Sequence, residues 1–367
     1  MPTSAQASAS ALRRPLTRRF VAAQSWPIML ANATAPIVGL VDTFVIGRYA
    51  GTAALAGIGL GAVIYSIAYW SFGFLRMSTA GLAAQSDGAV QAHMMRAVPL
   101  GLLIGISIFL LQNILLIGAF NVFTGTPDVE KTAAIYIKAR LWGLPAALAS
   151  IALMGWFVGI SRAGLALKMQ IVLNLVNLIL SPLFVITFAW GLYGVGIASA
   201  IAEWCGLAAG LWLAYREIQR RGGFRRKAVS KSALLNPDDL KRLGVTNSNI
   251  FIRTLCLTLG FSFFGNAAAA QGVIFLAGYH ILMQFITMIA LVLDAFAHTA
   301  EAAVGAAFGA KDRTRFDRAV RLTTEFSALF AVLTGILIYF GGPFFIGILS
   351  KDPLVIQSAM TYLPYCA

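Results

Sequence analysis

The ionisable residues of this chain that could do chemistry stand inside apolar runs. Asp42 lies within "APIVGLVDTFVIGRYAG", residues 35–51, with no residue of opposite charge within one helical turn of it. A charge placed near the centre of such a run in a membrane costs at least ~2.5–3.5 kcal/mol on insertion scales, so it tends to face a cavity or a partner. Withdrawal from water also disfavours the ionised form of a carboxylate. Asp42 could therefore take up a proton in one conformation and release it in another. A structural role is the alternative: Pro36 frees a backbone carbonyl six residues earlier, which a protonated acid could bond.

Asp294, His298 and Glu301 follow i, i+4, i+7 spacing and so share one helix face. They could form a second protonation or cation-binding stripe, or a structural cluster neutralised by arginine. At ~1.5 Å per residue, Arg253 and Glu301 fall at similar depth, so a simple buried pair between them is an equal expectation. His298 by itself reads as a neutral lining residue rather than a metal ligand. Arg76 could meet Asp294, and Glu203, in "AIAEWCG", reads as a packing or network acid. Counted within the apolar runs, Asp42, Glu203, Asp294 and Glu301 outnumber Arg76 and Arg253. That acidic excess suits protons and organic cations. Tyr65, Tyr69, Trp70, Phe72 and Phe74 could hold lipophilic cations by cation–π contact, or could simply face lipid.

The elements that must position these residues are long apolar helices. Of 367 residues, 59% are hydrophobic and 11% charged, against about 25% charged in an ordinary soluble domain. Segments 97–123 and 273–293 contain no Asp, Glu, Lys or Arg, and about 20 apolar residues suffice to cross a bilayer core of ~30 Å. The chain reads as an all-α polytopic membrane protein with helices near 20–46, 54–87, 95–120, 133–160, 165–190, 193–218, 243–268, 273–308 and 318–346, and a tenth starting near 355. Turn signals separate them: "GTPD" at 125–128, "SRAG" at 161–164 and "GGP" at 341–343.

A net charge of +14 would suit nucleic acid, but its distribution follows the membrane instead. Alternate segments hold 21 of the 28 Lys and Arg, while the intervening loops hold Arg48, Lys131, Lys138, Arg140 and Lys351. Such a bias sets the N-terminus in the cytoplasm by the positive-inside rule. Residues 1–19 then form a basic cytoplasmic tail, because a full-length apolar run rather than a cleavage site follows them. Cys205, Cys256 and Cys366 are too widely spaced for a disulfide framework or a metal motif.

Residues 20–218 form a first lobe of six spans, 219–242 a polar linker, and 243–367 a second lobe with three full spans and part of a fourth. The lobes repeat: "STAGLAAQSDGA", ending at Ala89, resembles "HTAEAAVGAAFGA", ending at Ala310, and "RAV" at 96–98 returns at 318–320. Both copies begin in the cytoplasm, which makes the repeat parallel. A full second copy would end near residue 440, so the second lobe is expected to be incomplete, and the 367-residue chain to insert without transporting.

The stretches "GLVDTFVIGR" (39–48), "LRMSTAGLAAQ" (75–85), "LMGWFVG" (153–159), "IAEW" (201–204) and "GAKD" (309–312) resemble the multidrug and toxic compound extrusion (MATE) family, and within it the DinF-like bacterial subgroup. The resemblance implies a two-lobe 6 + 6 helix repeat in the inner membrane. It implies export of amphiphilic or cationic compounds against inward proton or sodium movement, with no organic cofactor, no metal and no nucleic-acid partner, by a monomer. It further implies that Asp42 is the coupling carboxylate and that the first span bends at Pro27. Asn177 keeps a network position of the fifth span, whereas Ser181 stands where many relatives carry an aspartate. Ser150 stands for a fourth-span asparagine, and Ser199 could match a sixth-span hydroxyl. The first-lobe network then rests on one carboxylate, which leaves proton coupling open and weakens cation coordination.

Three other functions compete. A flippase for lipid-linked precursors would need a strongly cationic cavity. A membrane-embedded enzyme would need a nucleophile and base, or metal ligands, at a shared depth, and no such motif is present. A non-functional fragment is the third.

Overall fold

The computed structural model describes residues 16–49, 52–85, 90–122, 127–224, 237–349 and 352–366. Every regular element among them is helical. In chain order they are α1 (Arg18–Tyr49), α2 (Thr52–Ser71), α3 (Phe74–Gln85), α4 (Val90–Leu110), α5 (Gln112–Val122), α6 (Pro127–Leu141) and α7 (Leu144–Gly159). There follow α8 (Ala163–Pro182), α9 (Gly191–Arg220), α10 (Pro237–Ala270), α11 (Val273–Gly309), α12 (Arg313–Leu349) and α13 (Pro353–Tyr362). Seven helices are long and apolar enough to cross a membrane, or eight when α6 and α7 are taken as one bent span.

Helices expected to be single are in part broken. The span expected at 133–160 is two helices meeting at 55°. The break falls at "LWGLP", where Pro145 has no N–H to give the helix and sits in the first turn of α7. Gly143 N–H turns back to Arg140 O at 3.0 Å, and Gly143 lies against the Ala200 backbone with no room for a side chain. Conversely, the turn expected at 341–343 is absent. α12 runs helically through Pro343, as membrane helices do when neighbouring groups re-satisfy the freed carbonyl.

α7 is the core of the first lobe. All its residues except Met154 are buried, and it packs against α3, α4 and α9. Close backbone approach makes this possible: the Gly155 α-carbon faces the Arg76 carbonyl so closely that a β-carbon there would collide with it. Small-residue contacts of this kind are the usual means of helix packing where lipid offers no hydrophobic drive. Apolar side chains such as Leu110, Phe263 and Phe340 stay exposed, as a lipid-facing surface requires.

The two lobes meet along α11, which lies against α1 and α3. Ser25 and Thr299 hydrogen-bond at 2.8 Å, Asn32 Nδ2 donates to Leu291 O at 3.0 Å, and Arg18 pairs with Glu325 at 3.2 Å. All three contacts lie in the first half of α1, and Asp42 is in the second.

Candidate functional site

Four helices bring a polar cluster together inside the first lobe. Asp42, on α1, is 4% exposed, and its Oδ1 accepts from Ser181 Oγ of α8 at 2.5 Å. Asn177 is one turn earlier on the same face of α8, so both side chains point into the lobe. Its Nδ2 donates to Ser199 Oγ of α9 at 2.9 Å. Ser181 directly precedes Pro182, after which the chain continues as a π-turn, Leu183–Thr187. Such wide turns recur at functional positions in helices.

The fourth helix supplies a cation that the sequence reading placed in a loop. Arg140 Nη1 donates to Ser199 Oγ at 3.0 Å and to Tyr136 OH at 2.9 Å. Its guanidinium carbon stands 4.3 Å from the centre of the Tyr65 ring of α2. Asp42 and Glu203 are both within electrostatic range of it, yet among the described residues no carboxylate pairs with it directly. The signal was in the spacing. Ala133, Tyr136, Ile137, Arg140 and Leu141 fall on one face of α6, where all but the half-buried Arg140 are buried, while Lys131, Ile135, Lys138 and Trp142 are exposed. Arg140 thus lies on the buried face of α6, from which it reaches the cluster. Taking it out of the loop count leaves the charge bias between the two sides larger.

Several buried polar atoms in the first lobe have no hydrogen-bond partner: Arg140 Nε, Asn177 Oδ1, Tyr65 OH and Ser150 Oγ. Buried polar groups are ordinarily hydrogen-bonded, so these four mark the cluster as a place that can accept a further polar partner.

The second-lobe stripe is looser than expected. His298 is 2% exposed and its Nδ1 faces Glu301 Oε2 at 3.3 Å, with Glu301 30% exposed. Asp294, one turn away, is exposed. The anticipated Arg253–Glu301 pair does not form: Arg253 is exposed and its Nη2 reaches Met77 Sδ at 3.5 Å. Nor does an ion pair join Arg76 to Asp294 among the described residues. The Arg253–Glu301 expectation rested on equal depth, which does not decide which faces of the two helices meet. Pro27 and Pro36 lie within α1, whose helix continues unbroken from Arg18 to Tyr49; the Pro36 side chain falls outside the described residues.

A bundle of long lipid-facing helices around a buried polar cluster defines a polytopic membrane protein. Residues 27–183 and 250–367 match the MatE family model, and the chain belongs to the MatE family. It is 30% identical over 344 residues to DNA damage-inducible protein F of Escherichia coli, covering 92% of this chain and 74% of that protein. It is 24% identical over 337 residues to a probable multidrug resistance protein NorM of Pseudomonas syringae, covering 88% and 71%. The crystal structure of the Vibrio cholerae MATE transporter VcmN in its bent form superposes with a TM-score of 0.80 at 19% identity, covering 98% of this chain and 80% of that one.

Proposed function

We propose that the chain acts as a secondary antiporter in a bacterial inner membrane, exporting amphiphilic or cationic compounds in exchange for protons, with Asp42 as the protonation switch. The observation that carries this reading is the environment of Asp42: a buried carboxylate with one hydroxyl donor and no directly paired cation. Such a group is poised between two states of charge, since burial opposes ionisation and a hydrogen bond to the carboxylate favours it. Asn177, one turn before Ser181 on α8, donates to Ser199 of α9, so a movement of α8 that follows a change at Asp42 would be felt at α9. The likeness to a NorM-type multidrug resistance protein supports the substrate class.

With the N-terminus in the cytoplasm, the contacts of Ser25 with Thr299 and of Asn32 with Leu291 close the cytoplasmic end between the lobes. An alternating-access cycle would part these contacts, and Asp294, exposed on α11, is a candidate contact for a cationic substrate. Protonation of Asp42 from the outside would favour the opposite state. The working unit is a monomer.

The experiment is proton-gradient-driven transport of a lipophilic fluorescent cation in proteoliposomes. Transport should follow the imposed pH difference and vanish in Asp42→Asn. Transport that persists in that variant would sink the switch.

A second reading, a flippase for anionic lipid-linked precursors, is favoured by Arg140 inside the first lobe. Asp42 and Glu203 balance Arg140 and Arg76 in the same lobe, short of the strongly cationic cavity such a flippase would need, so the antiporter reading ranks first.

A further inference from the structure

We propose that Arg140 restricts the first-lobe site to protons, standing as a tethered cation where a sodium ion would otherwise bind. This rests on the reading of Asp42 as the coupling acid.

Arg140 is held by groups that fix its position without cancelling its charge. Tyr136 and Ser199 offer neutral oxygens, and the Tyr65 ring offers its face. The ionisable groups around it come from every neighbouring helix: Asp42 from α1, Tyr65 and Tyr69 from α2, Tyr136 from α6 itself and Glu203 from α9. None of them forms a contact ion pair with the guanidinium, so its field extends into the cluster.

Two consequences follow for a metal cation. The first concerns ligands, because a hard cation needs a shell of oxygen lone pairs. Ser199 Oγ already accepts from both Arg140 and Asn177, so its two lone pairs are occupied. Tyr136 OH accepts from Arg140 as well. Only the Asp42 carboxylate, Ser181 Oγ and Asn177 Oδ1 remain in the cluster, and Asn177 Oδ1 is the orphan among them. The second concerns charge. The Arg140 guanidinium repels any second cation brought into the cluster. A proton meets the same repulsion, but it needs only one lone pair of Asp42 and no coordination shell, so the shortage of ligands is what separates it from sodium. When Asp42 gives up that proton, Arg140 already supplies the countercharge, so no external cation is required.

A purely structural Arg140, clamping the end of α6 to α9, would leave ion selectivity untouched. Equilibrium binding of radioactive sodium to the purified full chain in detergent separates the two. The parent should show no saturable sodium binding. Arg140→Met should show saturable sodium binding, and adding Asp42→Asn should abolish that binding. Arg140→Gln, which retains a donor toward Ser199, should behave as Arg140→Met and serves if the methionine variant does not fold. Saturable, Asp42-dependent sodium binding by the parent would overturn the proposal. So would a folded Arg140→Gln that binds no sodium. Because binding is read without transport, failure of proton-coupled export would count against the antiporter reading alone.

Discussion

Ser181 donates its hydroxyl to Asp42 Oδ1, and both side chains are buried. The pair gives two graded predictions. Asp42→Asn should insert at parent level and reduce coupled export to background, because asparagine holds the shape of the protonated acid and cannot cycle. Ser181→Ala should keep the cycle but slow it by about tenfold or more, since a hydrogen bond to a charged group is worth ~1.5–3 kcal/mol. Initial export rates in proteoliposomes check both. Equal losses in the two variants would mean that the hydroxyl is not merely an aid to the carboxylate.

How much of this site was legible depended on which physical signal each residue gave. Asp42 announces itself as a charge in an apolar run, and the positions of Asn177, Ser181 and Ser199 followed from the family resemblance. Arg140 was hidden because it shares a short basic stretch with Lys138, two residues away and on the opposite face of α6. Composition assigns both to a loop, and only helical periodicity separates the buried one from the exposed one. The break at Gly143 was carried by "GLP", but hydropathy continues across it and masks the turn. Lateral partners such as Arg253 and Glu301 were not legible at all. Sequence gives depth along a helix, and contact also requires the rotation of each helix about its axis.

Arg253 therefore yields a prediction opposite to that of a buried pair. Its side chain is exposed and its hydrogen-bond partner is the Met77 thioether. Arg253→Met should not destabilise the protein, since no buried charge is left stranded by its loss. Glu301→Gln should act independently of it. Thermal unfolding in detergent of the two single variants and the double variant tests this. A strongly destabilised single variant rescued in the double would restore the pair.

Glu217 is the opposite case. Its carboxylate is buried and receives Arg162 and Arg221, each at 2.9 Å. The two arginines join the α7–α8 turn and the end of α9 through one acid. Glu217→Gln strands both, although each is about one-third exposed, so the cost should be ~1–3 kcal/mol rather than the larger figure for fully buried pairs. Arg162→Gln, which leaves Glu217 with Arg221, should cost less. Melting curves of the two variants in the same detergent give the order, and a reversed order would show that Arg162 alone carries the connection.

The last prediction concerns Ser25 and Thr299, which tie α1 to α11. Thr299 Oγ1 already donates to Ala295 O at 2.9 Å, so Ser25 is the donor between the lobes. Around them Gly305 packs on Ala84 and Gly309 on the Gln85 backbone, with no room for a β-carbon at Gly309. An alternating-access cycle must part these surfaces when this end opens. Cysteines at both positions would place two sulfurs where hydroxyl oxygens are now 2.8 Å apart, within reach of a bond of ~2.05 Å. Cys205, Cys256 and Cys366 are free and would first be replaced by alanine. Oxidation of Ser25→Cys/Thr299→Cys should then join the lobes and bring export to background, and reduction should restore most of it. Each single-cysteine variant should be indifferent to both treatments. A cross-linked double variant that exports at the uncross-linked rate would show that the lobes do not separate at this end during transport.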